Sequence, residues 1–484
     1  MKKAVIGIDV GTSGVKVLAM DENCKVVCSV TETYPLYMPE EGWTEQNPVD
    51  WWNATVKCLG IIVPQIKEYE LCGVGLSGQM HGMVALDKNN EVVRPAILWN
   101  DQRTVSQCEE IISLAGGREA LASYTDNNML TGFTGGKILW MKENEPDNYA
   151  KTVKIINPKD YILFRLTGAI STDLSDASGT GLFDVKNGRF SSELIEKIGL
   201  SPSLFAEPLF SGDVAGYVNT DCGLPAGLAV FAGGGDAVLS TIAMGAGGGG
   251  SVGVMLGTSG VVSVHTDEFR DNRDGSIQFS RSCVKGKYHA MGVTLAAAGS
   301  EQWFADTLGD GNFKECDRIA AESGIGSGGV VFLPYISGER CPINDPAARG
   351  CFVGISAKTT KGDLARAVLE GVAFSLRQVY EKLDPSKNSE RIVLAGGGSK
   401  SPLWRKIISA VFGRETVMLD GAGEGSGYGA AIVAGVGCGM LPSAEEAMNS
   451  LSVRTTDVPN ASDVAEYEKA YKRYLSLYPR LKGF

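Results

Sequence analysis

Histidine is scarce in this chain, and the spacings that announce metal or disulfide chemistry are missing. Only His81, His265 and His289 occur in 484 residues, and none stands in an HExxH run. The eleven cysteines, Cys24, Cys58, Cys108, Cys222 and Cys351 among them, are odd in number and contain no CxxC pair. These absences argue against a structural zinc site and point to reduced thiols in a cytoplasmic protein. No GxxxxGK[ST] run exists, which excludes a P-loop nucleotide site at the level of motif. GxGxxG occurs from Gly73, Gly245 and Gly324 among other places, yet never in the strand–helix setting, with a later acidic residue, that a dinucleotide fold requires. Positive charge is also short: 45 Lys and Arg face 56 Asp and Glu, a net −11 without a basic stripe. Nucleic acid is therefore not expected as a partner. Met1-Lys2-Lys3 leads into seven residues that include Asp9, too short a run for a signal-peptide core. Residues 226–264 carry one charge, Asp236, but their 12 glycines break the run into strands and turns, so no membrane span is expected.

Glycine is what the chain has in excess: 62 residues, gathered in motifs rather than spread as a linker. With 44% hydrophobic and 21% charged residues, the length predicts two or three globular domains with ample cores. Gly11-Thr12-Ser13-Gly14 recurs letter for letter at Gly257-Thr258-Ser259-Gly260. Each copy lies between two short β-rich runs, so each reads as strand, tight turn, strand. The offset, 257 − 11 = 246, is about half the chain. Two halves of similar design, each with a turn whose N–H groups and hydroxyls suit a phosphate, predict a nucleotide in a cleft. Strands are expected near 4–10, 15–20, 25–31 and 72–77, and helices at 48–65, 104–115, 136–144 and 363–383. A last helical stripe, Val464, Tyr467, Tyr471, Tyr474, Tyr478 and Leu481, reads as core packing. The class is α/β, with a boundary in the glycine run 245–250.

Several polar residues sit where strands end. Asp9 closes an apolar strand just before the first turn, a place for a carboxylate that coordinates Mg2+ beside phosphates. Lys16, just past the turn, is a second phosphate candidate. Asp236 is ionisable in apolar surroundings, where desolvation raises its pKa and makes it a proton acceptor. Gln79-Met80-His81 and Trp99-Asn100-Asp101 follow short strands on loops of the kind that contact ligands. The Gly396-Gly397-Gly398 turn would let a flat base or ribose approach the backbone.

Two longer runs carry a resemblance. GFTGGKILWMKEN at 132–144, and the spaced set Gly350, Gly354, Ile355, Asp363, Leu364, Leu369, Glu370 and Gly371, match in order the two signatures of the FGGY carbohydrate kinases. GQMHG at 78–82, Trp99-Asn100-Asp101, SDASGT at 175–180 and LPYISGER at 333–340 resemble the xylulokinase branch of that family. The resemblance covers nearly the whole chain. It implies two actin-like (RNase H-like) domains with ATP and sugar between them. Residues 1–246 would bind sugar and carry catalysis, and 247–484 would bind nucleotide, with a tail helix near 461–481 free to pack back on the first domain. It further implies Asp236 as general base, Asp9 toward Mg2+, and Thr12, Ser13 and Lys16 toward the phosphates, with Gly257 and Thr258 as a second contact. Met80, His81 and the 99–101 loop would hold the sugar, while Gln302, Gly397 and Ser401 would line the nucleotide pocket. The implied reaction is ATP-dependent phosphorylation of a small ketose, foremost D-xylulose at O5, by a cytoplasmic enzyme compatible with a homodimer. The alternatives are another ketose or polyol, or an actin- or chaperone-like nucleotide switch, which would give no reason for Gln79-Met80-His81 or the isolated Asp236. The chain departs from the pattern at Ala237, where xylulokinases carry Asn, and at Gly425–Gly429, where a Pro and a Leu are usual.

Overall fold

The two GTSG turns occupy equivalent places in two sheets of one design. In this computed structural model all residues are described except 249, 271, 273, 274, 310, 387, 422 and 484, the first of which falls in the glycine run 245–250. Lys2–Val10 pairs antiparallel with Gly14–Asp21 and parallel with Tyr69–Gly78. Ser251–Leu256 likewise pairs antiparallel with Gly260–Thr266 and parallel with Arg391–Ala395. Each sheet has seven strands. The first runs 214–217, 229–231, 69–78, 2–10, 14–21, 26–33, and Gly234–Gly235 adds to the end of 69–78. The second runs 278–281, 288–294, 260–266, 251–256, 391–395, 415–419, 453–457. Lys2–Val10 is buried on both faces over most of its length, as a central strand between helical layers must be.

One face of the first sheet is covered by Pro48–Ile62, begun by Asn47, whose side chain accepts the Val49 N–H, and by Pro48 in the first turn. Trp51, Cys58, Leu59 and Ile62 are its buried stripe. The opposite face takes two helices, Asp236–Ala243 and Ser426–Gly437. The second of these lies almost on the strands: a Cβ at Gly7 would stand 2.0 Å from the Gly427 carbonyl oxygen, and one at Gly75 2.1 Å from that of Ala430. Glycine at 7 and 75 is thus required by close approach. The second sheet is backed by the 23-residue helix Lys361–Leu383, started by a capping box between Thr360 and Asp363.

The packing differs from the sequence expectation in two respects. Ser426–Gly437 crosses the 246/247 line and belongs to the layers of the first sheet. Apart from Tyr428, Ile432 and two valines, its residues are Gly, Ala or Ser, with buried positions on every side, so no apolar stripe in the sequence says which surface it covers. The tail helix, Ala461–Leu475, packs on Lys361–Leu383 and Pro402–Phe412 of the second half, not on the first. Phe374 meets the rings of Tyr467, Tyr471 and Tyr474 at centroid distances of 5.4–6.2 Å, and the Tyr467 hydroxyl bonds Arg366 and Glu370. Among the described residues no helix is long and apolar enough to cross a membrane.

Candidate active site

Both GTSG turns lie at the carboxyl ends of neighbouring parallel strands, where ligands settle in open α/β sheets. In the first, Val10 is level with Gly78, and the Gly11 N–H bonds the Gly14 carbonyl at 3.1 Å. Thr12 is held from three sides. Its hydroxyl donates to Gln79 Oε1 at 3.2 Å and accepts from Trp99 Nε1 at 2.9 Å, while its carbonyl accepts from Gln46 Nε2 at 2.7 Å. Gln46 also takes a bond from Gln79 and one from Trp51. The turn is therefore preorganised, with Ser13 exposed at its tip.

Asp9 accepts the Ser77 hydroxyl at 2.8 Å and stands against the start of the Ser426–Gly437 helix. Burial raises its pKa, opposed by the hydroxyls of Ser426 and Ser77 and by the Lys16 charge. Asp236 is the first residue of its helix, delivered by the Gly234–Gly235 strand beside Gly78. Burial, and next the Asp9 carboxylate, push Asp236 up to about 7, against the N–H groups of Ala237 and Met80 that lower it. Two carboxylates that feel one another at the end of one sheet suit a metal-assisted proton transfer.

Met80 packs on Gly235, where a Cβ would lie 2.6 Å from its Cγ and Sδ. His81 adopts positive φ (67°), stacks on Phe133 at 4.6 Å, and sets Nδ1 2.5 Å from the Gly179 carbonyl. A carbonyl only accepts, so Nδ1 carries the proton and Nε2 is left as an acceptor. Burial pushes the imidazole down to about 3, keeping it neutral. Met80 and His81 border a small cavity with Ala237, Gln278 and Met291, so residues of both halves of the chain meet there.

A cavity of about 950 Å³ opens beside the second turn, lined by Gly257, Thr258, Gln302, Gly397 and Ser401. All five nucleotide candidates on this side are brought together. The Thr258 carbonyl accepts the N–H groups of Ala297 and Gly299, fixing the turn to the start of Ala298–Leu308. Gly397 is exposed, and a Cβ there would meet nothing, so its backbone faces open space. Ser401 caps Pro402–Phe412.

Three of the expected residues are engaged elsewhere. Lys16 donates to the Glu424 carboxylate at 2.8 Å and to its carbonyl at 2.9 Å. Asp101 is fully buried and taken up by Arg103 and the Thr44 N–H, and Asn100 accepts from the Thr44 hydroxyl at 2.8 Å. Of that loop only Trp99, 46% exposed, reaches the turn. Sequence reasoning also missed three carboxylates in the cavity wall, Glu301, Asp306 and Asp317, of which Asp306 accepts from Gln302 Nε2 at 2.8 Å. Burial pushes Glu301 up to about 7, with Asp317 adding to the shift, and burial raises Asp317 against the Ser401 hydroxyl. Glu301 adjoins Gln302 in sequence, the one signal that pointed there.

With this geometry in place, comparison with known proteins is direct. The N-terminal domain model of the FGGY family of carbohydrate kinases matches residues 4–243, and its C-terminal domain model matches 252–438. A xylulose kinase of Lactococcus lactis subsp. lactis (strain IL1403) is 37% identical, over 98% of this chain and 96% of that protein. The crystal structure of a xyloylose kinase from Brucella ovis superposes with a TM-score of 0.93 at 32% identity, covering 99% of both chains. That of a gluconate kinase from Lactobacillus acidophilus gives 0.92 at 27%, covering 100% of this chain and 99% of the other. The paired turns, the two interacting carboxylates and the nucleotide-sized cavity agree with these matches, and the chain belongs to the FGGY family of carbohydrate kinases.

Proposed function

We propose that this sugar kinase transfers the γ-phosphoryl group of ATP to O5 of D-xylulose, with Asp236 as general base and Mg2+ held with the help of Asp9. The observation that carries the mechanism is Asp236 itself, a carboxylate raised to about 7 by burial and by Asp9. At that value it is ionised often enough near neutral pH to take the hydroxyl proton, and basic enough to hold it. The neutral Nε2 of His81 accepts from a sugar hydroxyl while Met80 packs beside it. The N–H groups of the two glycine turns neutralise phosphate charge, and the wall at Gly397 and Ser401 receives the nucleoside.

Among the described residues no group of three or more His, Cys, Asp and Glu is placed to hold a metal. One carboxylate beside a phosphate-binding turn fits Mg2+, which keeps waters and shares substrate oxygens rather than filling a protein cage. When bound, it neutralises charge on the transferring group. Asp9 is the residue that would hold it, with Ser77 fixing the carboxylate.

The sugar is assigned from the relatives rather than from the fold, since a gluconate kinase shares the same backbone. A coupled ADP assay across pentuloses, hexuloses, alditols and gluconate tests it. D-xylulose is expected to give the highest kcat/KM; a tenfold preference for another acceptor, on the order of 1.4 kcal/mol, overturns the sugar and leaves the kinase. Asp236→Ala is expected to lower kcat by about 10²–10⁴-fold while calorimetry still registers ATP binding.

A further inference from the structure

Lys159, Asp160, Asp173 and Asp176 lie enclosed near the turn that delivers Asp236, each at most 1% exposed. Lys159 Nζ stands 2.5 Å from Asp160 Oδ1, 2.9 Å from Asp173 Oδ1 and 3.9 Å from Asp176 Oδ2. Both oxygens of Asp176 have no hydrogen-bond partner. As a source of stability such a cluster is poor, because well-packed apolar side chains serve as well or better. What apolar side chains cannot do is direct a hydrogen bond.

The cluster directs one. Asp173 Oδ2 accepts the Ser175 hydroxyl at 2.6 Å and the Ser175 N–H at 2.7 Å. With its proton committed to Asp173, Ser175 Oγ accepts the Gly235 N–H at 3.0 Å. Gly235 immediately precedes Asp236. The Cys283 thiol, on the connection between two strands of the second sheet, donates to the same oxygen at 3.3 Å. A Cβ at Gly234 would lie 2.3 Å from Cys283 Sγ and 2.9 Å from Ser175 Oγ, so the turn passes between the two without clearance.

We propose that Ser175, oriented by Asp173 and Lys159, is a positioning residue for phosphoryl transfer: its oxygen fixes the Gly235 amide and so the direction in which the Asp236 carboxylate leaves the turn. The inference rests on Asp236 being the base. Ser175 is not among the residues that line the cavity at the second turn. Its loss therefore falls on kcat and not on the KM for ATP.

The test compares Ser175→Thr with Ser175→Val, two isosteres that share any packing penalty and differ only in the hydroxyl, alongside Ser175→Ala. At saturating ATP and sugar, Val and Ala are expected to lose about 10- to 100-fold in kcat, the usual cost of a misplaced catalytic group. The Thr variant is expected to stay within about threefold of wild type, and the KM for ATP within about twofold in all three. Equal kcat in the Thr and Val variants overturns the proposal. So does a kcat loss accompanied by a matching rise in the KM for ATP, which marks a general structural defect. Asp236→Ala is measured in parallel. If it stays active, the reading of the base fails; if it is inactive while Ser175→Val is fast, only the positioning role fails.

Discussion

As the proposed base, Asp236 faces two demands that pull apart: a base must be ionised, and this carboxylate is held where ionisation is costly. The outcome, a value of about 7, makes its charge depend on pH in the neutral range. The logarithm of kcat/KM is expected to rise with unit slope below about pH 7 and to level above it, since only the ionised form accepts the proton. Stability runs the other way. A carboxyl whose folded pKa is raised above its ordinary value stabilises the fold below that ordinary value, and this contribution is lost as pH rises through the folded value. Asp236→Asn is thus expected to raise Tm at pH 8 and to leave it nearly unchanged at pH 4, as differential scanning calorimetry would record. The neighbouring Ala237 borders the cavity at Met80 and His81. Restoring an amide with Ala237→Asn is expected to lower the KM for D-xylulose by the worth of one hydrogen bond, about 0.5–1.5 kcal/mol, with little change in kcat. Steady-state kinetics on the variant checks it. At this scale, the buried, raised carboxylate of Asp236 was legible because a single charge in a long apolar, glycine-rich stretch is conspicuous. Lys16 misled because its partner, Glu424, lies 408 positions away. Asp101 misled because a loop position says nothing of the Arg103 that encloses it.

On the proposed reading the hairpins carry nucleotide binding, and the first glycine of each, Gly11 and Gly257, has little steric duty in the protein itself. By contrast, a Cβ at Gly14 would meet the Glu32 carbonyl oxygen at 2.5 Å, and one at Gly260 the Leu376 and Thr294 side chains at 2.7 Å. A Cβ at Gly257 would come no nearer than 3.4 Å to any atom, and one at Gly11 no nearer than 3.2 Å. Neither has the positive φ that would strain a larger residue. Substitution should therefore strike the ligand and spare the fold. Gly257→Val is expected to weaken ATP binding at least about tenfold, with sugar affinity and Tm close to wild type. Calorimetric titration of each ligand decides, and unchanged ATP affinity would make the repeat merely architectural. These hairpins could be read from sequence because a duplicated turn between β-rich runs is a local signal. The carboxylates of the cavity beside the second turn could not. Asp317 lies within Phe313–Glu322 among other charges, where nothing in the pattern separates a cavity-facing acid from a solvated one.

At the scale of the molecule, the α/β class followed from strands mixed with helices in both halves and the plan of two similar halves from the repeat, while the way the chain is partitioned between the sheets did not. Amphipathic helices declare a direction; Ser426–Gly437, apolar all round and mostly Gly and Ala, declares none, and its place was set by Gly7 and Gly75 far away. This has a consequence for biosynthesis. A ribosome that has finished the first sheet has still to make the helix that covers it, which ends at residue 437 of 484. Until then Leu18, Phe231, Val238 and Ile242, which share one cluster with that helix, lack their cover. Nascent chains of intermediate length are thus the aggregation-prone species. Fragment 1–246 made alone is expected to be insoluble, and fragment 247–484, carrying the missing helix, to rescue it when the two are co-expressed. Sedimentation of the lysates separates the outcomes. Late covering also means that arrest of translation short of residue 437 yields a product the cell must sequester or degrade, so the coding region for this helix is where slow decoding would be most harmful.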